Sequence, residues 1–297
     1  EHAYSEALRL FPENQKRAEA AYGVAWSLFE QKKFSSSAGA FDRFQKEYPS
    51  SGHLLDAALR KADCYFFLGQ YDRSSALYAE LASTKTDNRT VEYAAFQLAM
   101  SYIQRGESER GIAQLREFLL SHPASIYNEV VQFNIGWELF SREQYSLAIP
   151  ELQTVMQRYP ESQLMPRVLF NMGDCFYNLK EYDDARAYYQ RVIKEYPQSL
   201  LVSDALNGLQ FTFERQGRPA SGLAEIDTLL ATKAIQAPTG ELLMRKGDIL
   251  FGQGDFAGAI REYQRALAAR PARAAAAKAL HQLGRSYELQ NNPQRAI

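Results

Sequence analysis

Two kinds of side chain in this sequence, large aromatics and amides, are spaced so that they can hold a polypeptide. The two tryptophans, Trp26 and Trp137, lie 111 residues apart, and each is followed three residues later by a phenylalanine. Spacings of three and four residues place side chains on one stripe of a helix. An open apolar stripe with large anchors is typical of a surface that takes up a helix or an extended peptide, and an amide hydrogen-bonds both the donor and the acceptor of a peptide backbone. The candidate partner-binding residues are Tyr22, Trp26, Phe29, Phe66, Tyr93, Phe96, Gln97, Met100, Phe133, Asn134, Trp137, Phe140, Phe170, Asn171 and Tyr177.

The same aromatics also fit an ordinary core, in which they pack between neighbouring helices, and the amides also fit a solvated face. Substituting a tryptophan by alanine distinguishes the two interpretations. Loss of a core tryptophan costs about 3 to 5 kcal/mol of stability, whereas loss of a groove anchor leaves stability near wild type and removes binding. Both interpretations stay open from the sequence alone.

Toward the C-terminus the stripe becomes polar, with Asn207, Glu214 and Asp248 at the corresponding positions. Residues 235–297 contain nine basic and five acidic side chains. A solvated helix face accounts for this segment, and a site for an acidic end of the partner is the alternative.

Residues for catalysis or metal binding are not arranged in any recognisable pattern. The four histidines include no pair at metal-ligand spacing. Cys64 and Cys175 lie 111 residues apart at equivalent positions, so we expect two small core residues without a disulfide between them. We therefore expect no catalytic residue, no metal and no cofactor.

The elements that position these side chains follow a period of 37 residues. Prolines that follow a bulky residue are separated by 37 residues or twice that number, and they are Pro12, Pro49, Pro123, Pro160, Pro197 and Pro271. The same frame contains a column of small side chains, which are Ser37, Ser74, Gly111, Ala148, Ala185, Gly222, Ala259 and Ala296. A fixed period of this length indicates a solenoid of repeated units.

Each unit reads as a pair of helices. Within 161–197, two apolar patterns with helical spacing flank a turn at Lys180 and Glu181. In sister units the turn carries Gly69, Gly106, Gly217 or Gly254, which suits a helix end that needs a left-handed residue. A serine or asparagine two residues after the proline can cap the next helix by accepting a backbone hydrogen bond.

These columns resemble the tetratricopeptide repeat, whose helix pairs show the same order of small residue, large residue, turn, aromatic, alanine, aromatic and closing proline. The residues that carry the resemblance in one unit are Gly173, Phe176, Tyr182, Ala185, Tyr189 and Pro197. The resemblance covers nearly the whole chain, although the period is three residues longer than the usual one. It implies an all-α fold, a right-handed α-solenoid in which the first helix of each pair lines the concave side.

We accordingly predict a single solenoid over residues 1–297. A partial repeat occupies 1–12 and another occupies 272–297, so we expect a natural protein that extends beyond both ends. Seven full repeats lie between them, at 13–49, 50–86, 87–123, 124–160, 161–197, 198–234 and 235–271.

The Tyr-Pro-x-Ser junctions at residues 48–51, 159–162 and 196–199 resemble those of bacterial outer-membrane assembly lipoproteins and TolA-binding cell-division factors. This resemblance implies a role in bacterial cell-envelope assembly. We expect a periplasmic or outer-membrane-associated protein, with a cytoplasmic location as the alternative.

Composition excludes several partners. The chain has 34 basic and 35 acidic residues among its 297, which removes the broad attraction that nucleic acid requires. No stretch approaches the apolar length of a membrane-spanning helix. We expect a protein or peptide segment as the partner.

The predicted function is a non-catalytic protein-interaction scaffold that binds a partner peptide or helix along the aromatic concave groove. Two alternatives stay open. The chain is the repeat arm of a larger enzyme whose catalytic domain lies outside this fragment, or it is a structural scaffold that assembles with copies of itself into a homo-oligomer.

Overall fold

A computed structural model of the chain describes residues 2–10, 16–84, 88–231, 239–271 and 273–290. Pro12 and Ala296 of the repeat columns, and the predicted repeat ends at residues 86 and 234, lie outside the described residues. Within the described ranges all regular structure is helical, as predicted.

The helices alternate between the first and the second helix of a pair. A helix of the N-terminal partial repeat, α1 (His2–Leu10), precedes them. The first helices are α2 (Arg17–Glu30), α4 (Leu54–Phe67), α6 (Asn88–Gln104), α8 (Asn128–Ser141), α10 (Met165–Asn178), α12 (Val202–Arg215), α14 (Thr239–Gly252) and α16 (Arg273–Leu289). The second helices are α3 (Phe34–Glu47), α5 (Tyr71–Ala82), α7 (Ser108–Ser121), α9 (Tyr145–Arg158), α11 (Tyr182–Glu195), α13 (Pro219–Ala231) and α15 (Phe256–Ala268). Successive second helices begin 37 residues apart throughout, which confirms the period.

The turn inside each pair adopts the same left-handed backbone. The predicted turn glycines have φ values between +67° and +83°, so their freedom from a Cβ is used here. Other repeats place Lys32, Glu143 and Lys180 at the equivalent position with φ between +58° and +65°. The backbone thus keeps one turn geometry whether or not the residue favours it.

The columns of small residues are buried where helices approach each other closely. Ala25, Ala62 and Ala99 of the first helices have no exposed surface. In another repeat a Cβ added at Gly173 would lie 2.6 Å from the ring of Tyr189, so a larger residue has no room there. Packing of this density requires a small residue opposite each large one.

The serines after the closing prolines accept a backbone hydrogen bond, but the donor differs from the predicted one. Ser51 Oγ accepts from the N–H of His53, and Ser162 Oγ accepts from the N–H of Leu164. Both donors lie one residue before the helix, so the serine stabilises the turn that leads into the helix rather than the helix's own first N–H groups.

Residues 1–138 and 139–297 form two compact units, which we call unit 1 and unit 2. The buried core of unit 1 lies between its paired helices, around Phe41, Phe44 and Tyr78. The core of unit 2 lies between its own pairs, around Tyr189 and Tyr263.

The two cysteines are buried and unpaired with each other, as expected for small core residues. Burial raises the pKa of the Cys64 thiol to about 11 and that of Cys175 to about 12, which keeps both thiols protonated. Across the described ranges, no group of three or more His, Cys, Asp or Glu residues is placed to hold a metal ion. Among the described helices, none has the length and apolar character required to cross a membrane.

Candidate partner-binding site

Three adjoining cavities run along the first helices of unit 2. The first, of about 310 Å³, lies between α10 and α12. The second, of about 390 Å³, shares Tyr177 and Phe211 with the first, and the third, of about 460 Å³, shares Glu214 with the second and extends to α14. We call these three cavities together the cavity row. The three cavities therefore form one continuous row across α10, α12 and α14.

Most residues of the first cavity lie at positions of the predicted stripe. The first cavity is lined by Phe170, Asp174, Tyr177, Tyr189, Asp204, Asn207, Gly208 and Phe211. Phe170 and Tyr177 were predicted, and their side chains lie on one face of α10 because they are seven residues apart. Phe211 is 51% exposed on α12, which is unusual for a side chain of this size.

The aromatic walls of the first cavity are held in place by neighbours. The Phe170 ring lies 5.8 Å from that of Tyr189, and the Tyr177 ring lies 5.7 Å from that of Tyr182 in an edge-to-face arrangement. Arg215 donates a hydrogen bond to the Tyr177 hydroxyl at 3.3 Å. Contacts within the chain therefore hold the aromatic side chains of this cavity in position.

The carboxylate of Asp174 forms part of this cavity's wall. It accepts a hydrogen bond from the Tyr189 hydroxyl at 2.6 Å. Burial raises the pKa of the Asp174 carboxyl to about 6, the tyrosine hydrogen bond opposes that rise, and the negative charge of Asp204 adds to it. Two acidic side chains therefore face one aromatic-walled cavity.

The predicted aromatics of α2 in unit 1 form a stack along that helix. The ring of Trp26 lies 6.5 Å from that of Tyr22 and 5.6 Å from that of Phe29, both nearly parallel. The Arg60 guanidinium lies 5.1 Å from the centre of the Trp26 ring. All three aromatics are partly buried against the core of unit 1, so their surface is divided between packing and solvent.

The predicted residues differ in exposure. Trp137 is 37% exposed. The partly buried ones are Tyr22, Trp26, Phe29, Phe66, Tyr93, Gln97, Met100, Asn134, Phe140, Phe170 and Tyr177. The buried ones are Phe96, Phe133 and Asn171.

For Phe96, Phe133 and Asn171 the prediction of a partner contact is corrected by their burial, since Phe133 and Asn171 are each only 4% exposed. Phe96 and Phe133 share a repeat position with Phe170, and side chains at this position pack on their neighbours. Phe96 stacks on Tyr127 of the next repeat at 6.2 Å, and Phe170 packs against Tyr189 on the second helix of its own repeat. Phe96 and Phe133 are buried by such packing, whereas Phe170 is only partly buried and also lines the first cavity.

The three amides predicted to hold a peptide backbone are Gln97, Asn134 and Asn171. Asn134 donates its Nδ2 to the carbonyl of Val130 in its own helix at 2.7 Å, and Asn171 is buried. Asn171 is therefore not presented to a peptide backbone, and one donor of Asn134 is used within its own helix.

Sequence reasoning did not single out Asp174, Asp204 or Phe211 as site residues. Asp174 and Phe211 belong to the same column as the two tryptophans, and Asp204 lies one helical turn before Asn207 on α12. Extending the stripe by one turn, and including its acidic members, would have found them.

Comparison with known proteins identifies the repeat. Models of the tetratricopeptide repeat match residues 1–52, 93–125, 167–199 and 238–297, together more than half of the chain. A sequence comparison with curated proteins found no match.

Two solved structures are similar over most of their length. One is a tetratricopeptide repeat protein from Parabacteroides merdae, with 15% identity and a TM-score of 0.54 over 90% of this chain and 98% of that one. The other is the C-terminal part of a TPR repeat-containing protein from Cytophaga hutchinsonii, with 16% identity and a TM-score of 0.51 over 88% of this chain and 99% of that one. Identities this low establish the fold alone.

The tetratricopeptide repeat is a protein-interaction scaffold, and it is typically non-catalytic. Because the matching models all describe this repeat and the described helices follow its order, the chain belongs to the tetratricopeptide-repeat family.

Proposed function

We propose that this chain holds a segment of a partner protein, as a helix or an extended peptide, along the cavity row of unit 2. The observation that carries the proposal is the continuity of three cavities across α10, α12 and α14. A segment that fills adjoining cavities gains several anchors at once, as groove-bound peptides do. The chain then acts as a non-catalytic scaffold.

Phe211 is the residue that best tests this proposal, because it lines two of the cavities and is half-exposed. Removing a half-exposed ring costs only about 1 kcal/mol of folding stability. Peptides selected from a displayed random library on the wild-type protein should therefore lose affinity for the Phe211→Ala variant while that variant stays folded.

The matched control is Leu147→Ala, which removes another exposed apolar side chain of unit 2, on the second helix α9. It should leave peptide affinity unchanged. Selected peptides that bind the Phe211→Ala variant as tightly as wild type would show that the cavity row is not the binding surface.

We propose separately that the aromatic stripe of unit 1, which includes Trp26 and Trp137, also contacts a partner segment. Trp26 is stacked on both sides and contacts Arg60, whereas Trp137 is the more exposed of the two tryptophans. Trp137→Ala should therefore leave the unfolding midpoint closer to wild type than Trp26→Ala does. A pull-down of partners with the Trp26→Ala, Trp137→Ala double variant should show loss of binding, and retained binding would refute a role for the aromatics of unit 1.

A place in the bacterial cell envelope is a further proposal that rests on the Tyr-Pro-x-Ser junctions alone. Fractionation of cells that express the full-length product tests it. Recovery in the cytoplasmic fraction would refute it.

A further inference from the structure

An aspartate and a tyrosine recur together at equivalent places in three repeats. The aspartate lies on the first helix, and the tyrosine fifteen residues later on the second helix donates its hydroxyl to the aspartate Oδ1. The three pairs are Asp63 with Tyr78, Asp174 with Tyr189 and Asp248 with Tyr263, at distances of 2.6, 2.6 and 2.8 Å. The repeated geometry makes the three carboxylates directly comparable.

In two of the three repeats, the other carboxylate oxygen is paired with an arginine three residues earlier on the same helix. Arg60 Nη1 lies 2.9 Å from Asp63 Oδ2. Arg245 Nη1 lies 3.2 Å from Asp248 Oδ2, and Lys278 Nζ lies 3.4 Å from the same oxygen. At these two positions the chain supplies the cation itself.

In the remaining repeat, that of Asp174, Asn171 stands where the sister repeats have the arginine. This side chain is 4% exposed, and its Nδ2 has no hydrogen-bond partner in the part of the chain that the structure describes. Within the same ranges, neither Asp174 nor Asp204 forms an ion pair with a lysine, arginine or histidine. The negative charge that is neutralised in the sister repeats is therefore left unbalanced here.

The aspartate of this repeat, Asp174, also lines the first cavity of the cavity row. Two carboxylates and four aromatic rings, those of Phe170, Tyr177, Tyr189 and Phe211, surround its space of about 310 Å³. A guanidinium group pairs with carboxylates through its N–H donors and stacks flat on aromatic rings, whereas an ammonium group is more strongly hydrated and lacks the planar face. The chain shows such stacking in unit 1, where Arg60 lies over Trp26.

We propose that the first cavity binds an arginine side chain of the partner segment, whose guanidinium pairs with Asp174 and Asp204 as Arg60 and Arg245 pair with their own aspartates. This inference rests on the proposed function and specifies one anchor of the partner.

Peptides selected on the wild-type protein, and dependent on Phe211, supply the probe. Each arginine in turn is replaced by citrulline, which keeps the shape of the side chain and removes its charge. For one arginine, affinity measured by fluorescence polarisation should fall roughly tenfold to a hundredfold, which is the range expected for a hydrogen-bonded charge pair.

The variant that connects this loss to the cavity is Asp204→Asn, which removes an exposed carboxylate and leaves the core untouched. This variant should reduce the ratio of the affinity for the arginine peptide to the affinity for the citrulline peptide. Asp184→Asn, an exposed aspartate on α11 outside the cavity, is the control with the same change in net charge, and it should leave the ratio as in wild type.

A second variant, Asn171→Arg, installs the residue that the sister repeats carry. Its guanidinium should pair with Asp174 and occupy the cavity, so the ratio should fall toward one while the thermal midpoint rises. Since Asp204→Asn does not depend on accommodating a larger side chain, the test stands even if Asn171→Arg fails to fold.

The outcomes separate this inference from the proposed function. If selected peptides depend on Phe211 but show no loss with citrulline, or tolerate lysine equally well, the arginine site is refuted and the groove stands. If no selected peptide depends on Phe211, both are refuted. A citrulline loss that Asp204→Asn leaves unchanged places the arginine elsewhere and also refutes this inference.

Discussion

The carboxyl group of Asp174 gives the sharpest test of the energetics, through the variant Asp174→Asn. Its pKa rises from 3.8 to about 6 on folding, so the ionised form is disfavoured in the folded state. At about 1.4 kcal/mol per pKa unit, ionisation of this carboxyl lowers the free energy of unfolding at neutral pH by about 3 kcal/mol relative to the protonated form. An amide oxygen accepts the Tyr189 hydrogen bond less strongly than a carboxylate does. We therefore expect Asp174→Asn to be about 2 kcal/mol more stable than wild type at pH 7.5.

The sign of the pH dependence follows from the raised pKa. Between the unfolded value of 3.8 and the folded value of about 6, the folded state binds more protons than the unfolded state. Wild-type stability from this group is therefore fully present below pH 3.8 and is lost as the pH rises through 6. The advantage of Asp174→Asn should be absent near pH 4 and complete above pH 7.

Urea unfolding of both proteins across this pH range measures the difference, and an NMR titration of the Asp174 carboxyl carbon measures the pKa directly. Asp248→Asn is the matched control. It removes the counter-charge of Arg245 and Lys278, so it should destabilise the protein at pH 7.5 by about 1 to 3 kcal/mol. A variant Asp174→Asn that is less stable than wild type at pH 7.5, or an Asp174 pKa of 4 or below, would refute the reasoning.

Further predictions concern the glycines and the turns. Gly208→Ala should destabilise unit 2 by about 1 to 3 kcal/mol, because the added Cβ would lie 2.5 Å from the Tyr189 ring. Gly39→Ala, which has open space around the added Cβ, should instead stabilise the protein by about 1 kcal/mol. Urea unfolding measures both changes. Lys180→Gly should raise the free energy of unfolding by about 0.5 kcal/mol because φ is +65° there. Gly217→Ala, at φ +67°, should lower it by about 1 kcal/mol, and equal effects of the two turn substitutions would contradict a shared left-handed geometry.

The fold was predictable because it depends on a pattern that recurs in every repeat. A small residue such as Ala25 or Ala62 is fully buried at each helix contact, so its column stays small and reveals the frame. The turn geometry was predictable only in part. Glycine marks it at Gly69, but Lys32 adopts the same φ without any sequence signal, since the helices on either side impose the turn.

The candidate site was less predictable, because exposure depends on contacts that the helical period does not contain. Phe133 and Phe170 share a column, yet Phe133 is 4% exposed whereas Phe170 is partly buried and lines a cavity. The period gives a residue's direction on its own helix, but the neighbouring helix and loop decide whether space remains. The contrast between Asn171 and its sister Arg60 was visible in the sequence, but its meaning required the Asp63 ion pair to be seen.

The ring of Tyr189 lies within 3 Å of the positions where a Cβ would stand on both Gly173 and Gly208, so it is wedged between α10 and α12. Its hydroxyl is at the same time bound to Asp174. One tyrosine therefore both sets the spacing of two successive first helices and holds the carboxylate in the wall of the cavity between them.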